Sequence, residues 1–310
     1  MQISIRATRL GRLVGMAALA MALAACSTTA ILNAVQPDAG ISVIHGQRYQ
    51  PGPRGTLDVY RPALADGTAP IVLFLYGGSW DRGEKADYAF VGKALATAGL
   101  VTVIADYRLY PQVRWPAYLQ DNARALRWTR QHAAQFGGDP ADIFLMGHSA
   151  GAYEALMLTL DPRWLAAEGL DPRRDLRGTI GLAGPYDFLP LNTPELQSIF
   201  GTAPDLALTQ PINYVTGNAP PLFLGTDTAD KLVDPGNTTR LAAKVRAAGG
   251  SVEVRYYRHM DHALLLGVFG VPLRFLAPVR RDVLSFIRTN ATRELRAAPN
   301  APQSRPVLPD

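Results

Sequence analysis

The chain predicts an α/β fold, a mostly parallel central sheet with helices on both faces. Three observations predict it. Short continuous apolar runs at residues 70–75, 100–104, 143–146, 179–183 and 220–225 have the length and composition of strands buried on both faces. Amphipathic helical patterns alternate with them, which implies right-handed βαβ crossovers. At the centre, the run 143–146 leads through Gly147-His148-Ser149-Ala150-Gly151 into a helical pattern over 152–160, a strand–tight turn–helix. With 310 residues, 48% hydrophobic and 18% charged, the chain suits one large globular domain. No internal repeat is visible.

The first residues read as a targeting segment rather than part of the fold. Arg6, Arg9 and Arg12 form a basic stretch without acids, and residues 13–23 are apolar but too short to span a bilayer. Leu23-Ala24-Ala25-Cys26 resembles a bacterial lipobox, whose cysteine becomes the lipidated first residue of the mature chain. Cys26 is the single cysteine, so no intramolecular disulfide can form. Residues 1–25 are therefore expected to be a lipoprotein signal peptide and 26–40 a tether. In the lipoprotein pattern, Ser27 after the cysteine favours the outer membrane. Removing residues 1–25 lowers the formal net charge from +5 to +2, and no basic run interleaves with aromatics, so a nucleic-acid partner is not expected.

The domain is expected over 41–295. Its first strands are 55–60 and 70–75, bracketed by proline and glycine. The second ends in Tyr76-Gly77-Gly78-Ser79-Trp80, where glycines let backbone approach a ligand. A helix over 81–98 closes at Gly99, strand 100–104 leads into a loop at 106–111, and Pro116 opens a helix reaching Phe136. After the central turn and strand 179–183, residues 184–220 have little regular pattern but carry Tyr186, Phe188, Leu189, Leu191, Ile199 and Phe200. They suit either a pocket wall or packing over the sheet edge. Strand 220–225, a loop with Asp227, Asp230 and Asp234, a helix over 235–249 and an alternating strand 251–257 follow. A closing helix is expected over 271–298 and a mobile tail over 296–310.

The candidate chemistry lies at strand ends. Gly-x-Ser-x-Gly between strand and helix is a nucleophile elbow. The neighbours of Ser149 at minus two and plus two must be small, and the helix N-terminus aims free N–H groups at an anion forming beside it. His148 is expected to project away from that face and pack. A loop with three aspartates and then Arg258-His259-Met260-Asp261-His262 supply acid and base in the order Ser, Asp, His. Topology leaves the three aspartates open. No HExxH and no cysteine pair occurs, so no metal site is expected.

Gly77-Gly78-Ser79-Trp80, Asp106-Tyr-Arg-Leu-Tyr-Pro111, Gly-His-Ser149-Ala-Gly, Ala183-Gly-Pro-Tyr-Asp187, Ala229-Asp230 and Asp261-His262-Ala263 together resemble the α/β-hydrolase superfamily over roughly residues 50–290. The branch they look like is that of carboxylesterases akin to feruloyl esterase-like and isoprenylcysteine methylesterase-like enzymes, with arylformamidases nearby. The resemblance implies Ser149 as nucleophile, Asp230 as acid and His262 as base. It implies an oxyanion hole from the N–H groups of Gly77, Gly78 and Ala150, and no cofactor. Two departures stand out: Tyr76 where the family loop has histidine, and Thr226-Asp227 where it often has His-Gly. The expected function is ester hydrolysis through an acyl-enzyme on a small-molecule ester, anchored at the bacterial envelope. The alternatives are an arylformamidase or amidase on the same triad, and a non-catalytic envelope binding module.

Overall fold

The structure, a computed structural model, describes residues 28–292. The signal segment 1–25, Cys26 and the tail 296–310 lie outside the described residues. Eight strands form one sheet in the order β1-β2-β4-β3-β5-β6-β7-β8. They are β1 (Ile41–Arg48), β2 (Thr56–Pro62), β3 (Ala69–Leu75), β4 (Val101–Ala105), β5 (Gly138–His148), β6 (Gly178–Leu182), β7 (Leu222–Asp227) and β8 (Val252–Tyr257). From β4 to β8 every pairing is parallel, while β1 and β2 pair antiparallel at one edge. All residues of β3, β4, β6 and β7 are buried. Helices cover both faces, so most side chains on either side are apolar.

Strand β1 has no counterpart in the sequence reading. It is half-exposed, and its register slips between Ile44 and Gln47 beside the left-handed Gly46, which breaks the alternation that marks a strand. The long helices are α1 (Ala89–Ala96), α2 (Ala117–His132), α3 (Ala150–Leu160), α4 (Pro194–Phe200), α5 (Gly236–Ala247) and α6 (Val279–Asn290). Two are shorter than expected. The helix expected over 81–98 is split into a 3₁₀ turn at Lys85–Tyr88 and α1, because Trp80 and Gly83 are left-handed and Glu84 with Asp87 forms a capping box. The helix expected from 271 begins only at Val279. Pro272 and Pro278 interrupt it, so Leu273 and Leu276 lie on a 3₁₀ turn and a loop. Helix α3 is buried on all sides, not on one face, because residues 163–214 cover its outer side. Its Glu154 is fully buried and accepts from Asn122 Nδ2 on α2 at 2.7 Å.

The stretch expected as a tether differs where it is described. Residues 28–35 are helical and Leu32 is buried. Asn33 Oδ1 accepts from the N–H of Phe90 at 2.8 Å, and Gln36 Oε1 accepts from the N–H of Val271 at 3.0 Å. One apolar side chain and two polar anchors suffice to dock the segment; a run rich in Ala, Thr and Asn carries no such signal in its composition.

Candidate active site

Three strand ends meet at one point of the sheet. Ser149 sits between β5 and α3 at φ 56°, ψ −123°, a conformation strained for a side-chain-bearing residue. The elbow survives because its flanks are bare. A Cβ on Gly147 would stand 2.1 Å from Gly151 O, and one on Gly151 would stand 2.0 Å from Leu75 O. The N–H of Ser149 donates to Leu182 O at 2.9 Å, which ties the turn to the end of β6.

Asp230 and His262 come together: His262 Nδ1 donates to Asp230 Oδ2 at 2.7 Å. A carboxylate only accepts, so the bond places the proton of a neutral imidazole on Nδ1 and leaves Nε2 as a base. Asp230 Oδ1 accepts from the N–H groups of Leu232 and Val233 at 2.9 and 3.0 Å. Burial opposes ionisation of Asp230. The hydrogen bonds from His262 and those backbone N–H groups outweigh it and hold the carboxyl below its ordinary range. The other two aspartates face elsewhere. Asp227 is fully buried at the end of β7 and accepts from the N–H of Ala229 at 2.7 Å and of Met260 at 3.1 Å. Asp234 accepts from the N–H of Gly236 at the start of α5 and from Arg240. No hydrogen bond joins Ser149 Oγ to His262 among the described residues. His259 is exposed, and no group of three or more His, Cys, Asp or Glu able to hold a metal occurs among the described residues.

The glycine loop approaches the elbow closely. A Cβ on Gly77 would stand 2.9 Å from both Ser149 Cβ and His148 O. Tyr76 holds this loop from beneath. Its hydroxyl donates to Asp106 Oδ1 at 2.9 Å and accepts from Arg54 Nη2 at 2.6 Å, and its ring stacks on Tyr107 and Tyr88. Tyr107 and Tyr88 in turn donate to the carbonyls of Tyr76 and Gly77. The loop is thus pinned on both carbonyls without the histidine of the related motif.

His148, expected to project away from the face of Ser149 and pack, faces His262 instead. It is buried, but its Nε2–H donates to the carbonyl of His262 at 2.9 Å, with ring centroids 4.8 Å apart. One side chain therefore joins the residue before Ser149 to the loop carrying His262, across 114 positions of sequence. Burial, and then the neighbouring His262, pull its pKa down to about 3, so it stays neutral near neutrality. The sign follows from linkage. Below the ordinary histidine value near 6.5 the unfolded chain takes up a proton the folded chain refuses. Stability from this group is complete above about pH 6.5 and falls toward pH 3, by at most about 1.4 kcal/mol per pH unit. Urea unfolding at pH 7, 6 and 5 should show this slope, and His148→Gln should flatten it. Gln keeps an N–H at the reach of Nε2 and should retain most turnover, whereas His148→Leu should lose about tenfold in kcat at unchanged KM by letting His262 drift.

A cavity of about 620 Å³ opens beside Ser149 and Ala150. Its walls include Trp80, Phe188, Leu196 and Ile199, with Leu189 and Leu232 toward solvent. Of the residues expected either in a pocket wall or in packing, Phe188, Leu189 and Ile199 line the cavity, whereas Tyr186, Leu191 and Phe200 are buried in packing, so the segment 184–220 serves both roles. Trp80 packs edge-on against Phe200 and Tyr153 at 4.9 and 5.3 Å, which backs the apolar wall with further aromatic rings.

The chain is similar to known proteins in sequence and in fold. Isoprenylcysteine alpha-carbonyl methylesterase ICME of Arabidopsis thaliana is 27% identical over 241 residues, 71% of this chain and 56% of that protein. Esterase LipC of Mycobacterium tuberculosis is 31% identical over 231 residues, 67% of this chain and 57% of LipC. The chain thus spans little more than half the length of these curated relatives. The crystal structure of esterase B from Lactobacillus rhamnosis superposes with a TM-score of 0.75 at 19% identity, over 93% of this chain and 97% of that one, a likeness of fold. The eight-stranded sheet is that of the α/β-hydrolase fold. Residues 57–245 match the family model BD-FAE, which spans β2 through most of α5 and includes the elbow and Asp230, and the chain belongs to the BD-FAE family.

Proposed function

We propose that the chain is a serine carboxylesterase acting on small-molecule esters through Ser149, Asp230 and His262. The observation that carries this reading is the Asp230–His262 bond of 2.7 Å, joined through His148 to the elbow that holds Ser149 at φ 56°. A serine hydroxyl does not ionise at neutral pH, so His262 Nε2 removes its proton as Oγ attacks the acyl carbon. Asp230 keeps the proton of Nδ1 in place and stabilises the imidazolium. The tetrahedral oxyanion is held by the N–H groups of Ala150 and of Gly77 or Gly78, each worth about 3–4 kcal/mol to the transition state in comparable sites. The imidazolium then protonates the leaving alcohol, and water attacks the acyl-enzyme by the same route to release acid and free Ser149. The two esterase relatives support an ester rather than an amide bond. Parallel rates on a p-nitrophenyl acyl ester and an N-formyl aryl amide test this. Faster amide turnover would make the protein an amidase, and turnover of neither would make it a binding module.

We also propose that Cys26 is lipidated and holds the domain at the bacterial envelope, on the outer membrane. The basic residues 6–12, the apolar stretch 13–23 and the sole cysteine support this. A cysteine bearing two or three acyl chains meets the need for more than one chain in stable anchoring. Wild-type chain should enter the detergent phase of a Triton X-114 partition and Cys26→Ser should not. An unmodified mature N-terminus by mass spectrometry would remove the anchor from the proposal.

A further inference from the structure

Nine large hydrophobic side chains are exposed among the described residues, and five of them gather in two segments that pack on one another. Ile31 and Val35 are one helical turn apart, so they share the outer face of the helix over 28–35. Leu32 and Gln36 lie on its inner side and are buried. Val271, Phe275 and Leu276 belong to the loop before α6, and Phe275 is 80% exposed. The segments touch directly: a Cβ on Gly270 would stand 2.7 Å from Leu32 Cδ2, and Gln36 Oε1 accepts from the N–H of Val271. Basic charge lies beside them. Arg274 is exposed between Val271 and Phe275, and Arg280 is lowered to about 10 by burial and then by its neighbours Arg274 and Arg288. An exposed apolar surface with Arg274 set into it suits an anionic lipid interface.

We propose that the surface of Ile31, Val35, Val271, Phe275 and Leu276 lies on a phospholipid bilayer, its apolar side chains in the headgroup–acyl boundary and Arg274 on lipid phosphate. The direction of the chain selects a bilayer over a second copy. Ser27 alone separates Cys26 from the first described residue of the helix. Two residues reach about 7 Å at most, so a lipid on Cys26 brings this face down to the membrane. The choice of bilayer rests on the anchoring reading; the surface itself does not. The face supplies a second, non-covalent membrane contact and sets the orientation of the domain.

The test separates the two. The chain from residue 26, which keeps every described residue, carries Cys26→Ser and hence no lipid. It is mixed with vesicles of phosphatidylethanolamine and phosphatidylglycerol and sedimented. The expected result is vesicle-bound protein, and at least a tenfold loss of partitioning in Phe275→Asp/Leu276→Asp with ester turnover unchanged. In a second preparation Pro272→Cys, the sole cysteine, carries an NBD fluorophore whose emission should shift to the blue on adding vesicles while the surface stays intact. Equal partitioning of parent and double variant, no partitioning with no blue shift, or a dimer in sedimentation velocity that the double variant splits would each overturn the proposal. The mass of the native N-terminus reports the anchor independently.

Discussion

Ser149→Ala should lower ester turnover by about 10⁶-fold in kcat, the scale seen when the nucleophile of a serine hydrolase is removed. The variant should fold normally. Alanine keeps the Cβ and tolerates φ 56° no worse than serine, and the close contacts at Gly147 and Gly151 do not involve Oγ. Substrate should still bind, because the cavity walls come from Trp80, Phe188 and Ile199. A fluorophosphonate should label the parent once, on Ser149, and leave the alanine variant unlabelled, while EDTA should change nothing. Ser79 is the informative control. It lines the same cavity and is also left-handed, at φ 52°. An adduct mapped to Ser79, or turnover that survives Ser149→Ala, would end the nucleophile assignment while leaving the fold untouched.

Asp230→Asn should cost about 10⁴-fold in turnover with the fold intact, by analogy with the loss of a triad carboxylate that leaves the imidazole in the wrong tautomer. The asparagine carbonyl can still accept from Leu232 and Val233, while its amide would point donors at His262 Nδ1. Nδ1 must then shed its proton, and Nε2 can no longer act as base. Asp227→Asn should behave in the opposite way. Both oxygens of Asp227 accept backbone N–H bonds, and an amide can replace only one of them. Stability should fall by about 1–3 kcal/mol for the buried N–H left facing a donor, with turnover changed far less. Acid pH adds a second readout. The carboxyl of Asp230 is held below its ordinary range, so its contribution to stability is present above the unfolded-state value and is lost as pH falls through the folded one. Asp230→Asn should remove that acid limb. Comparing kcat and urea midpoints of the two variants checks both claims, and the reverse ranking would move the acid to Asp227.

The parallel body of the sheet and the elbow could be read from residue order because both are written locally. A buried parallel strand needs an uninterrupted apolar run, as at 70–75 and 143–146, and a turn as sharp as that at Ser149 needs Gly147 and Gly151 within five residues. What depended on contacts distant in sequence could not be read that way. The edge strand β1 is marked only by its pairing with β2, and the helix over 28–35 only by its docking on Phe90 and Val271. Topology left Asp227, Asp230 and Asp234 open, and only the resemblance singled out Asp230; in the tertiary structure different groups lie opposite each carboxylate, His262 for Asp230 and backbone N–H groups for Asp227 and Asp234. His148 and Tyr76 show the same limit. Each has the composition of a packing residue, yet the fold carries one to the carbonyl of His262 and the other to Arg54 and Asp106. A polar side chain takes its role from the partner that burial forces on it, and that partner stands 22 to 114 residues away, beyond the reach of any local period.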